Sequence, residues 1–312
     1  MKITKNKNFI TTLVSGNEIN ILDYTLDSEK EGKTIYIQSG IHGGEITYWI
    51  IHKLFNFLKE NLLNGKVIFV PCANPIAWMQ RIYSYTTGKF NFFNGTDWNR
   101  SFPTGNSLEG IIAENLFNLA KTSDFVFDLH TSRESKPFAI PSQESYLKYC
   151  KTLGLEYNFL HIDLENIKYH GTINAQLDLL KIPNLTIECG SHDEFSIIKI
   201  DEVYNGILRL LNEFGMIDKK FINQSKTTPK YFRKTKKITA IDGGLIEFHK
   251  NINEEFKNGD VIYSLYNPNN FGEKVDYIAD FDGIAWKFSK THIFMKGEDV
   301  LDTIPTNEIK DI

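Results

Sequence analysis

Two side chains able to hold a metal stand three residues apart in "SGIHGGEITYWI" (39–50), His42 and Glu45, separated by Gly43 and Gly44. A third histidine, His130, closes "DFVFDLHTS" (124–132), and a spare carboxylate, Glu188, closes "NLTIECG" (184–190). A catalytic zinc ion often takes two histidines and one glutamate and leaves one position for water. His42, Glu45 and His130 supply that set, and Glu188 is free to serve as general base. Asp128, two residues before His130, faces the same side of its strand and can orient the site from behind. Arg81 has the charge to polarise a scissile carbonyl. Asn99 and Arg100, in "DWNRSFP" (97–103), have the chemistry to clamp a carboxylate.

Taken singly, none of these signals is specific. With eight histidines and 39 acidic residues in 312, chance supplies about one His-x-x-acid match. A core histidine, a helix-capping glutamate and a solvated loop arginine are the plain alternatives for each.

The weight comes from the elements that position them. "TIYIQS" (34–39), "VIFVP" (67–71), "FVFDLH" (125–130) and "NLTIEC" (184–189) read as buried strands. Helical spacing follows at 45–61, 107–123, 172–180 and 194–214, the second behind a Ser107 cap. Strand–helix alternation predicts an α/β domain with a mainly parallel mixed sheet and helices on both faces. Ligands of such sheets bind beyond the carboxyl ends of strands. His42, His130 and Glu188 all fall at such ends. Residues 81–106 show no periodicity, but their aromatic content points to an ordered functional loop rather than disorder. After about residue 225 short strands punctuated by Gly, Asp and Asn take over. The expected division is therefore a catalytic domain at 1–224 and a small all-β domain at 225–312.

Composition narrows the class. Charge is −4 overall, which argues against a nucleic-acid partner, and "PKYFRKTKK" (229–237) reads as a solvated linker. Three cysteines, Cys72, Cys150 and Cys189, make no disulfide framework and fit a reducing compartment. No signal peptide or apolar span is visible, so a soluble cytoplasmic protein without a membrane partner is expected.

"GIHGGE", "NPIAWMQR", "DWNRSFP", "DLHTS" and "LTIECG" occur in the order and approximate spacing of the zinc carboxypeptidase superfamily. Within it the chain most resembles the succinylglutamate desuccinylase/aspartoacylase branch, over nearly its whole length. That resemblance implies one zinc ion per chain held by His42, Glu45 and His130. It implies Glu188 as general base and proton donor to the leaving amine. Arg81 would stabilise the oxyanion, and Asn99 and Arg100 would grip the substrate's carboxylate. Arg133 and His170 are candidate contacts to the acyl or amino-acid part. "DWNR" departs from the branch's usual "DLNR", so Trp98 is expected to be a packing change. The C-terminal strands resemble biotinyl-type β-modules, but no lysine sits in a Met-Lys-Met setting, which argues against a carrier role.

The expected activity is zinc-dependent hydrolysis of a non-peptide amide in an N-acyl amino acid or similar small, carboxylate-bearing molecule. A carboxypeptidase acting on short or cell-wall-derived peptides, and a non-catalytic binding protein of the same fold, are the alternatives. Oligomeric state is left open, with a homo-oligomer compatible with the sequence.

Overall fold

The computed structural model describes residues 1–83, 85–102, 105–161 and 171–312, and among those up to residue 213 it has ten strands and six α-helices. The strands are β1 (Lys2–Thr12), β2 (Glu18–Asp27), β3 (Thr34–Ser39), β4 (Lys66–Val70), the short β5 (Arg81–Ile82) and β6 (Tyr85–Thr86), β7 (Phe125–Ser132), β8 (Phe138–Ile140), β9 (Tyr157–Phe159) and β10 (Asn184–Ser191). Seven of them form one sheet in the order β1-β2-β4-β3-β7-β10-β8. The pairs β3–β4, β3–β7 and β7–β10 are parallel, whereas β1, β2 and β8 join antiparallel at the edges. This is the expected mixed α/β sheet, with an added N-terminal hairpin.

Helices α1 (Tyr48–Asn61), α2 (Pro75–Met79), α3 (Leu108–Ala120), α4 (Leu147–Leu153), α5 (Ile173–Leu179) and α6 (Ile197–Glu213) cover both faces. Side chains alternate across a strand, and this sheet sorts them cleanly. Ile35, Ile37, Phe125, Phe127 and Leu129 point into one core with α1, α4 and α6. Tyr36 and Val126 point into the opposite core with α2, α3 and α5. Burying an Ile, Leu or Phe contributes about 1.5–3 kcal/mol each, so the strands are clamped from both sides. Asp128 continues the Val126 face, where Gln38 Nε2 donates to its Oδ1 at 2.7 Å. His130 lies two residues further along that strand, beyond the helix-covered region.

The helix expected from residue 45 begins at Tyr48 instead. Residues 40–47 stay in a turn that holds His42 and Glu45, and Thr47 ties it down through Ser39 Oγ at 2.7 Å and the Leu129 carbonyl at 3.3 Å.

Beyond α6 the chain is antiparallel β-structure: β11 (Lys230–Phe232), β12 (Lys236–Thr239), β13 (Gly244–Phe248), β14 (Glu254–Phe256), β15 (Val261–Tyr266), β16 (Val275–Ile278), β17 (Gly283–Phe288), β18 (Ile293–Phe294), β19 (Asp299–Pro305) and β20 (Lys310–Asp311). Two four-stranded sheets, β12-β19-β17-β14 and β16-β15-β13-β18, close over a core of their own. The chain also pairs back with the first domain: β11 runs parallel to β9 and antiparallel to β20, and Phe288 of β17 bridges Glu134. Phe138 and Tyr157 pack there with Phe232, Trp286 and Ile304.

Candidate active site

The turn after β3 is narrow enough to demand glycine. Gly40 adopts φ +74°, and a Cβ there would lie 2.3 Å from Trp78 Nε1. A Cβ on Gly43 would lie 2.2 Å from the Ala77 carbonyl oxygen. That tight seat turns both His42 and Glu45 inward, and each is at least nine-tenths buried. His130 arrives from the end of β7, equally buried. One ligand atom from each of the three lies within 4.8 Å of the others.

The two imidazoles present the same nitrogen to the same carboxylate. His42 Nδ1 is 2.9 Å from Glu45 Oε1, and His130 Nδ1 is 2.9 Å from Glu45 Oε2. The first contact is a hydrogen bond; the second is close but not aligned as one, which leaves Glu45 Oε2 without a hydrogen-bond partner among the described residues. The far nitrogens are each backed by an acid. His42 Nε2 is 2.9 Å from Asp97 Oδ1, and His130 Nε2 is 2.9 Å from Asp128 Oδ2. Such backing fixes ring orientation and raises the basicity of the nitrogen that faces a metal. Asp128 thus stands where the sequence suggests. Asp97, with the same task for His42, has no such prominence in the sequence beyond its place in "DWNR".

Electrostatics fit a cation. Burial opposes a charge on His42, but Glu45 and Asp97 outweigh it and its pKa is raised. Burial likewise opposes His130, and Asp128 and Glu45 raise its pKa well above the usual imidazole value. Burial alone would push Glu45 up, yet the two histidines hold it far below the ordinary carboxylate range. Asp97 is brought to about 2, its burial overcome by His42. The pocket draws positive charge, and a divalent ion there would displace protons from the histidines. Two histidines, one glutamate and an unsatisfied buried carboxylate oxygen match the donor set of a catalytic zinc site.

Glu188 stands directly opposite His130 in the parallel β7–β10 register. Its Oε2 is buried and has no hydrogen-bond partner among the described residues. Burial raises its pKa, with the charge of His130 pulling the other way. It lines a cavity of about 360 Å³ together with the three candidate ligands.

The loop 87–100 closes the other side of the cavity. Asp97 Oδ1 accepts from the Asn99 backbone N–H at 2.9 Å, opening a 3-10 turn over Trp98–Arg100. Asn99 and Arg100 both line the cavity. Asn99 Nδ2 lies 3.3 Å from His130 Nε2, and its Oδ1 is buried without a partner among the described residues. Trp98 is buried against the α3 face, the packing role expected of it. The loop is anchored from below by Glu109, which accepts from Asn91 and Asn94.

Two candidates fall elsewhere, and a third is outside the described residues. Arg81 is exposed on the β5–β6 hairpin and is not among the residues lining the cavity; Lys89 lines it instead. Arg133 turns towards the C-terminal sheet, 3.6 Å from Asp299 Oδ2 and 3.9 Å from Asp302 Oδ1. The chain leaves β7 just before Arg133, on the side of β19. His170 lies outside the described residues. The far wall of the cavity carries Ile140, Phe159, His161 and Asn174, which the sequence does not single out.

The catalytic-domain model of the succinylglutamate desuccinylase/aspartoacylase family matches residues 31–214. A succinylglutamate desuccinylase/aspartoacylase from Shewanella frigidimarina is similar in structure, with a TM-score of 0.87 at 18% identity, over 99% of this chain and 98% of that one. A protein of the same family from Shewanella amazonensis gives 0.86 at 19%, over 99% and 100%. The product-bound ectoine utilization protein EutE of Ruegeria pomeroyi gives 0.81 at 17%, over 97% and 95%. At these identities the structural likeness speaks for the fold. No curated protein matches the chain in sequence.

Proposed function

This chain belongs to the succinylglutamate desuccinylase/aspartoacylase family, a family of deacylases, and from that premise we propose that it is a zinc-dependent hydrolase of a small N-acyl amino acid or related amide. The observation that carries this reading is the buried set of His42, Glu45 and His130, with the unpartnered Glu188 oxygen beside it in one cavity. One zinc ion per chain would be held by those three side chains and would supply Lewis-acid charge and an activated water.

The chain's own groups supply the rest. Glu188 takes the proton of the attacking water as its oxygen adds to the amide carbon. The same carboxylic acid then gives that proton to the departing nitrogen as the C–N bond breaks. Its raised pKa suits both halves of that task. Asn99 and Arg100 sit where they can hold a substrate carboxylate, Arg100 with a guanidinium suited to two parallel hydrogen bonds. Asp97 and Asp128 keep the two imidazoles turned towards the centre.

We read the partner as a small carboxylate-bearing molecule, not nucleic acid or membrane. Among the described residues no helix is long and apolar enough to cross a bilayer. All three cysteines are free thiols, which supports a cytoplasmic setting.

The test is a hydrolysis screen with zinc present, using N-acetyl, N-succinyl and N-formyl amino acids beside short peptides. Turnover of an N-acyl amino acid is expected. Turnover of peptides alone would make the protein a carboxypeptidase and overturn the reading.

A further inference from the structure

We propose that Lys89, not Arg81, is the cation that receives the negative charge developing on the substrate's carbonyl oxygen. This rests on the amide-hydrolase reading above. Among the described residues two cationic side chains, Lys89 and Arg100, line the cavity that holds Glu188 and the three candidate ligands, and Arg81 does not.

Lys89 is seated there by backbone contacts. The Gly43 N–H donates to the Gly88 carbonyl at 2.9 Å, and the two glycines meet closely enough that a Cβ on Gly88 would lie 2.9 Å from Gly43 Cα and 2.1 Å from the Ala77 carbonyl oxygen. The residue after Gly88 is therefore delivered to the turn that carries His42 and Glu45. On the other side, the Trp98 N–H donates to the Lys89 carbonyl at 3.3 Å, and Phe90 bridges Asp97. Lys89 is thus pinned between the metal-facing turn and the Asp97–Arg100 segment. Arg81 stands on a two-residue strand before the chain reaches this contact.

The ammonium is also available. The nearest acid among the described residues is Asp97, whose Oδ2 is 3.9 Å from Nζ, beyond hydrogen-bond reach. That carboxylate is already engaged with His42 through its other oxygen. Among the described residues no hydrogen bond uses its three donors, and the half-exposed side chain can turn them to a ligand. Its charge is felt at Glu188, where it opposes the rise that burial and Glu45 produce.

The step balances as follows. Water's oxygen bonds to the amide carbon, its proton passes to Glu188, and the carbonyl π pair moves onto oxygen, where Lys89 donates a hydrogen bond. When that pair returns, the C–N bond breaks and Glu188 protonates nitrogen, giving a carboxylic acid and an amine. A cation that meets charge only in the transition state raises kcat and leaves substrate binding largely alone.

The experiment compares Lys89→Met, Lys89→Arg and Arg81→Met, all zinc-loaded, on whichever amide the parent hydrolyses best. Lys89→Met is expected to lose about 10²–10³-fold in kcat with KM within about threefold. Lys89→Arg should recover at least about tenfold of that loss, and Arg81→Met should lose at least about tenfold less than Lys89→Met. A second readout is calorimetric binding of the methylphosphonamidate analogue of that amide, tetrahedral and anionic at the reacting centre. Lys89→Met should bind it about 10²-fold more weakly while binding the amine product as the parent does. Retained kcat in Lys89→Met, an equal loss in Arg81→Met, or a loss confined to KM would each overturn the proposal. If the parent cleaves only peptides, the hydrolase reading above fails, yet the same variants still decide the role of Lys89 on that amide.

Discussion

The two walls of the cleft are built differently. One wall is the sheet: His42 and Glu45 follow β3, His130 stands near the end of β7, and Glu188 on β10 is locked opposite it by strand register. His42, Glu45 and His130 are buried and Glu188 is half-buried, and their neighbours on both faces are clamped in apolar cores. The other wall is the loop from Gly88 to Arg100. It hangs on the Gly43–Gly88 contact, on Asp97 and on the Glu109 anchor, and Arg100 is exposed at its rim. Rigid ladders suit groups that must share one ion within a few tenths of an ångström. A loop suits groups that meet the substrate, because its contacts can change without disturbing the sheet. Asp97 joins the two, since it belongs to the loop and holds a ligand of the sheet.

That joint is the place to break the comparison. Asp97→Asn keeps the shape and removes the charge behind His42. Zinc affinity should fall about 10–100-fold, as is usual when the partner of a ligating histidine is lost. Competition with a chelating dye measures it, and unchanged affinity would confine the loop to substrate binding. A smaller effect is expected at the other end of the molecule. Arg133 is part-exposed in its pairs with Asp299 and Asp302, and such pairs are worth about 0–1 kcal/mol. Arg133→Ala should lower the melting temperature slightly and leave KM within about twofold. A large rise in KM would return Arg133 to the substrate.

Legibility divides along the same line. Residues placed by strand periodicity are where the sequence puts them, because a buried strand's carboxyl end is visible as the last residue of an apolar run. His130 and Glu188 stand close to such ends, and His42 follows one in the turn after β3. Lys89 is not, since its place depends on two glycines 45 positions apart in the chain meeting at a backbone oxygen, and nothing local in "TTGKFN" announces that. Arg81 attracts attention by its chemistry and its place ahead of "DWNR", and Arg133 by its nearness to His130. The sheet then shows that β7 runs to Ser132 and sends the next side chain towards β19. The β1–β2 hairpin escaped for a related reason: "KITKNKNFITT" is polar and largely exposed, with no clean alternation to mark it.

The central claim is that the sheet wall holds one zinc ion and that Glu188 moves the proton. It is tested most directly by measuring zinc content and turnover together in Glu188→Gln. About one zinc per chain is expected in that variant, with hydrolysis reduced about 10²–10⁴-fold. Retained turnover would remove Glu188 from its role, and absence of zinc from both parent and variant, with indifference to chelators, would contradict the site itself.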